Sequence, residues 1–108
     1  MSKYLLIASR DPYDGQDVNH YYDLAENLVK EGNQVTVFLL QNGVFPARSS
    51  KYSPLLTQIS KAGAAIYADE FSLRERGIMA NQLIDGIEAA SLEMVIDQLA
   101  DGCKTLWH

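Results

Sequence analysis

Residues Ala64 to Ile78 read AAIYADEFSLRERGI. The first five, Ala64 to Ala68, are a short apolar run, which predicts a strand buried on both faces. At Asp69 the run breaks into a polar stretch that ends in the turn Arg76-Gly77-Ile78. A buried strand that opens into a polar loop is the unit from which parallel α/β sheets build their sites.

The same grammar recurs on either side. Tyr4 to Ala8 (YLLIA) predicts a first strand and Val35 to Leu40 (VTVFLL) a second. Between them, Ser9 to Gln16 is a loop marked by Pro12 and Gly15, and Asp17 is a plausible N-cap for a helix running to Lys30. Val18, Tyr21, Tyr22, Ala25, Leu28 and Val29 form its apolar face, and Gly32 stops it. After the second strand, Gln41 to Val44 turns the chain. Ser53 and Pro54 then read as N-cap and first residue of a helix whose inner face is Leu55, Leu56, Ile59 and Ala62, ended by Gly63. Beyond Gly77, Met79 to Leu83 is a short helix or an irregular connection. Gly86 to Ala90 predicts a fourth strand, and Ser91 caps a helix with Leu92, Val95, Ile96 and Leu99 at helical spacing. Cys103 to Trp107 predicts a fifth strand.

Strands that alternate with helices need crossover connections, so the sheet is expected to be mainly parallel. Right-handed crossovers then give a three-layer α/β sandwich, flavodoxin-like, with strand order 2-1-3-4-5 as the first expectation. The 108 residues suit one domain over 1–108.

Composition excludes several classes. The net charge of -5 argues against non-specific binding to nucleic acid or an anionic membrane. The apolar run near the N-terminus is far below the ~20 residues of a membrane span, so no membrane partner is expected. The single cysteine, Cys103, excludes an intrachain disulfide and fits a reducing cytoplasm.

Loops after the first three strands meet at the carboxyl edge of such a sheet, where ligands bind. Arg10, Arg48, Lys51, Arg74 and Arg76 all lie there, five of the nine basic residues in an acidic chain. So do Asp11, Asp14, Asp69, Glu70 and Glu75. Solvated or mutually paired loop charges are the simple account. A polar pocket in which an arginine meets an anionic ligand, or a partner's carboxylate or persulfide, is the sharper one. Tyr13, Phe45 and Tyr52 are loop aromatics of the kind that mark binding surfaces.

Two elements carry a family resemblance. Ser72-Leu73-Arg74-Glu75-Arg76-Gly77-Ile78, after its strand, resembles the Ser-x-x-x-Arg-Gly-Ile/Leu element of the DsrE/DsrF-like family, small α/β proteins of sulfur metabolism. Asn42-Gly43-Val44 after the second strand is similar to that family's Asp-Gly-Val turn. The resemblance implies oligomers, commonly trimers or hexamers, and a persulfide-carrying cysteine at the end of the third strand. In this chain that position is Asp69. A thiolate holds sulfane sulfur because it is soft and nucleophilic, whereas a carboxylate offers hard oxygen. The resemblance therefore implies a non-catalytic, oligomer-forming or partner-binding subunit whose partner would be a thiol-bearing sulfur-relay protein. Its binding residues would be Arg10, Asn42, Gly43, Asp69, Ser72, Arg74 and Arg76. Cys103, at the opposite edge, is expected to be a small buried hydrophobe.

Two alternatives stand beside this reading. One is a module binding a small anionic ligand with the same loops. The other is a hydrolase or lyase in which Asp69 and His20 form an acid/base pair. Asp11, Asp14, Asp17 and His20 lack the glycine and terminal Glu of a calcium loop, so no metal is expected, and no cofactor motif is present.

Overall fold

In the computed structural model, residues 2–12 and 17–108 are described. Five strands form one sheet: β1 (Lys3–Ala8), β2 (Gln34–Leu39), β3 (Ala65–Asp69), β4 (Ile87–Ala90) and β5 (Lys104–Trp107). Every pairing is parallel. Four α-helices connect them: α1 (Asp17–Lys30), α2 (Ser53–Ala62), α3 (Glu70–Glu75) and α4 (Glu93–Ala100). The expected layered α/β fold is present. Tyr13, Asp14 and the capping side chain of Asp17 lie outside the described residues.

The strand order is β4-β3-β2-β1-β5, which corrects the expected 2-1-3-4-5. The first three crossovers step one strand at a time in one direction, and β5 then returns to the free side of β1. Apolar runs specify that β1, β2 and β3 are interior strands. They carry no record of which neighbour each takes.

This topology divides the core unequally. Leu6, Ala8, Val37, Leu39, Ile66 and Ala68 pack under α1 and α2 in the larger cluster, with Tyr22, Ala25, Leu56 and Ile59 from the helices. The opposite face holds Leu5, Ile7 and Phe38, and among its buried residues only Val95 comes from α4. One helix about 10 Å wide cannot cover a five-stranded sheet about 19 Å across. Of the apolar stripe of α4 only Val95 is buried against the sheet; Leu92 is 48% exposed, Ile96 60% and Leu99 50%. Met94, Val95 and Gln98 face inward in their place, with Gln98 Nε2 donating to Thr36 Oγ1 at 3.1 Å. Phe71, 59% exposed, lines the same cavity as Leu92, and Trp107 on β5 is 65% exposed.

Smaller differences have local causes. The segment after β2 is a 3-10 helix (Gln41–Ala47) rather than an open loop. Ser53 lies inside α2, with Tyr52 at the cap position and Pro54 in the first turn. The polar stretch after β3 is helical, capped by Asp69 at one end and Arg76 at the other. No helix of the described residues is long and apolar enough to cross a membrane.

Candidate functional site

The segment from Asp69 to Ile78 is a short helix closed at both ends by its own sequence. Asp69 is its N-cap: Oδ2 accepts the backbone N–H of Ser72 at 3.0 Å and the Ser72 hydroxyl at 2.7 Å. At the other end Arg76 is the C-cap. The Ile78 N–H donates to the Leu73 carbonyl at 2.9 Å and the Gly77 N–H to the Arg74 carbonyl at 3.1 Å. This is a Schellman arrangement, and it requires the positive φ of +68° that Gly77 supplies. Ile78 and Leu73, both buried, complete it in the larger core cluster. The Ser-to-Ile element is thus a capping device that holds α3 at the carboxyl end of β3.

Ser72 also ties α3 to β2. Its Oγ accepts the Gln41 N–H at 2.9 Å. Gln41 has φ +53°, the one described non-glycine residue in the left-handed region, a conformation that costs on the order of 1 kcal/mol or more. The backbone bond to Ser72 holds it there. Gly43 follows because nothing larger fits: a Cβ at this position would lie 2.0 Å from the Ala8 carbonyl oxygen. Gly43 is buried and braces the end of β1 without lining the cavity described below.

Arg76 lies over this junction. Nε and Nη2 donate to Asn42 Oδ1 at 3.1 and 2.9 Å, and Nη1 donates to the Ser72 carbonyl at 3.2 Å. Its guanidinium also stands 5.9 Å from the Phe45 ring centroid, and that of Arg48 stands 5.5 Å from it. Each partner of Arg76 here is neutral. Lys30 and Glu26 form an ion pair elsewhere in the molecule.

These elements surround an open cavity of about 710 Å³. The end of β2 contributes Leu40, Gln41 and Asn42. The α3 segment contributes Asp69, Glu70, Phe71, Ser72, Arg74, Glu75 and Arg76, and the end of β4 contributes Ser91 and Leu92. The structure therefore brings together Asn42, Asp69, Ser72, Arg74 and Arg76. Arg10 and His20 are exposed and do not line the cavity. The loop after β1 instead contacts the one after β2, where the Tyr52 hydroxyl donates to the Pro12 carbonyl at 3.1 Å. Reversal of strand order lies between β1 and β5, so the cavity sits away from the switch point, over β2, β3 and β4. Sequence reasoning missed the contribution of β4. In sequence, Ser91 and Leu92 read as the start of a helix, and only strand order brings them beside Asp69.

Cys103 lies at the amino edge of the sheet, half-buried, with Sγ 3.7 Å from Gln98 Oε1. No cluster of three or more metal-ligating side chains occurs among the described residues.

Comparison with known proteins places this geometry in context. The family model described as the DsrE/DsrF-like family matches residues 2–107. Protein MK0008 of Methanopyrus kandleri is 26% identical over 109 residues, covering 94% of this chain and 90% of that protein. The ychN protein from E. coli superposes with a TM-score of 0.89 at 20% identity, with both chains fully covered. MTH1491 from Methanobacterium thermoautotrophicum gives a TM-score of 0.84 at 20% identity, covering 97% of this chain and 99% of that one. At such identities the superpositions show a shared fold.

Proposed function

The chain belongs to the DsrE/DsrF-like family, and from that premise we propose that it acts in sulfur handling as a non-catalytic subunit, one that assembles with copies of itself and docks a partner without carrying sulfur. One observation carries the reading. At the end of β3, where family resemblance expects the sulfur-bearing thiol, stands a carboxylate, 4% exposed and committed to capping α3 through Ser72. Hard carboxylate oxygen forms no persulfide. Cys103 is at the opposite edge of the sheet and packs beside the smaller core cluster, so it does not replace the missing group at this site.

The exposed stripe of Leu92, Ile96 and Leu99 supports self-assembly. Contiguous apolar surface of this kind marks interaction sites in soluble proteins. Leu92 and Phe71 are exposed apolar residues that also line the cavity, which supports a subunit boundary beside it, in a trimer or hexamer. A cytoplasmic setting and a thiol-bearing relay partner are part of the same reading.

The test is intact-mass spectrometry after incubation with a persulfidated cysteine desulfurase. The expected result is no gain of a sulfur atom anywhere on the chain. A stable adduct on Cys103 would overturn the non-catalytic reading.

A second reading, a small-ligand site in the same cavity, is favoured by Arg76, which is held by neutral acceptors and forms no ion pair among the described residues.

A further inference from the structure

We infer that the cavity takes a zwitterionic ligand of the amino-acid or dipeptide class, its carboxylate bound by Arg76 and its ammonium facing Glu70 and Glu75. The inference rests on the small-ligand reading above and supplies its chemistry. It is independent of whether the chain carries sulfur.

A guanidinium has five N–H donors. Arg76 spends Nε and one hydrogen of Nη2 on Asn42, and one hydrogen of Nη1 on the Ser72 carbonyl. One N–H is left on each terminal nitrogen, a pair suited to grip an oxyanion bidentately. Asn42 and Ser72 hold the side chain in place beforehand, so little rotamer entropy remains to be lost on binding. Half-burial strengthens the guanidinium's pull relative to a fully solvated arginine.

The surrounding walls decide which oxyanion. Arg74 and Arg76 supply two cationic groups, and Asp69, Glu70 and Glu75 supply three carboxylates. A sulfate or phosphate dianion meets repulsion from this excess of negative charge, and a simple cation meets both arginines. A ligand carrying one carboxylate and one ammonium satisfies both signs at once. Asp69 is only 4% exposed and its Oδ2 is occupied by Ser72, so Glu70 and Glu75, both exposed, are the available ammonium partners. Leu40, Phe71 and Leu92 give an apolar wall for a side chain. The cavity volume, about 710 Å³, lies within the range of small-molecule sites.

The experiment is an NMR titration of the full chain, observing backbone amides and the Arg76 Nε–H, with L-leucine, acetate, methylammonium and sulfate as separate probes. L-leucine is expected to give saturable shifts at Gln41, Ser72 and Arg76, with acetate and sulfate each weaker by roughly tenfold or more. Glu75→Gln, a surface change that leaves the fold intact, is expected to weaken L-leucine and strengthen sulfate. Arg76→Lys is expected to weaken L-leucine and acetate alike, because it removes the bidentate fork. If sulfate or acetate binds as tightly as L-leucine, the zwitterion assignment is overturned while an anion site stands. If no probe gives a saturable shift, the small-ligand reading falls with it. Neither result bears on the sulfur-adduct test.

Discussion

Asp69 Oδ2 accepts two hydrogen bonds from one residue, the backbone N–H and the hydroxyl of Ser72, and that hydroxyl in turn accepts the Gln41 N–H. The carboxylate is therefore a joint between β3, α3 and the end of β2. Replacing it by Ala strands the Ser72 donors in a buried site, at a cost of about 1–3 kcal/mol. Asp69→Asn keeps an acceptor oxygen and should lose less than half as much. Urea denaturation of the three proteins measures this; equal midpoints would mean that the cap is dispensable.

Asp69→Cys tests the link between this position and sulfur chemistry. The new thiol would stand at the end of β3, beside the Ser72 N–H and hydroxyl. Incubated with a sulfur donor, the variant should gain a sulfur atom at residue 69, whereas the wild-type protein gains none. A variant that stays unmodified while remaining folded would show that the site has lost more than its nucleophile.

Gly43 should tolerate nothing larger. A Cβ 2.0 Å from the Ala8 carbonyl oxygen meets the backbone of Ala8 and Ser9, so relief requires the end of β1 or the segment carrying Gly43 to move. Gly43→Ala is expected to cost on the order of 3 kcal/mol, read as a lower denaturation midpoint. A change below about 0.5 kcal/mol, the ordinary surface range, would contradict the close packing described here.

The α4 stripe predicts the assembly state. Ile96 is 60% exposed, so Ile96→Asp should leave the subunit fold intact while disrupting any oligomer that buries this face. Light scattering on the wild-type protein should give a multiple of the subunit mass, and the variant should give a smaller one. An unchanged mass would move the interface elsewhere.

Alkaline stability follows from two tyrosines. Burial pushes the hydroxyls of Tyr21 and Tyr22 well above the ordinary tyrosine range, with nearby Tyr52 and Asp11 adding to the effect on Tyr22. Both groups keep their protons when folded and lose them near pH 10 when unfolded. Above that pH the folded state binds more protons, so stability present below about pH 10 is lost as pH rises, by about 2.7 kcal/mol per pH unit for the pair. Tyr22→Phe should roughly halve that slope in denaturant titrations run above pH 10. An unchanged slope would remove Tyr22 from the effect.

Some of this molecule was plain from its residues. The runs around Leu6, Val37 and Ile66 had to be buried strands, because uninterrupted apolar residues need cover on both faces. The cluster of Asn42, Asp69, Ser72, Arg74 and Arg76 was expected at one edge, and these five line one cavity. Gly43 lies against the Ala8 carbonyl and outside the cavity lining, since a glycine beside a turn signals freedom of backbone without saying what approaches it. Arg10 and His20 were expected near the site and lie outside the cavity. Position in a loop sets no direction, and the β1 loop leans toward Tyr52.

Local pattern alone determined the parallel layered architecture, because periodicity and glycine turns act between residues close in the chain; the stretch after β3, which reads as a polar loop, is a helix capped by Asp69 and Gly77. Strand order, the outward turn of α4 and the entry of Ser91 and Leu92 into the cavity were decided only in three dimensions. Each depends on which surfaces compete for the same cover: β5 filled the free side of β1, a single helix was left for the second sheet face, and of its apolar stripe Val95 was buried while Leu92, Ile96 and Leu99 remained at the surface.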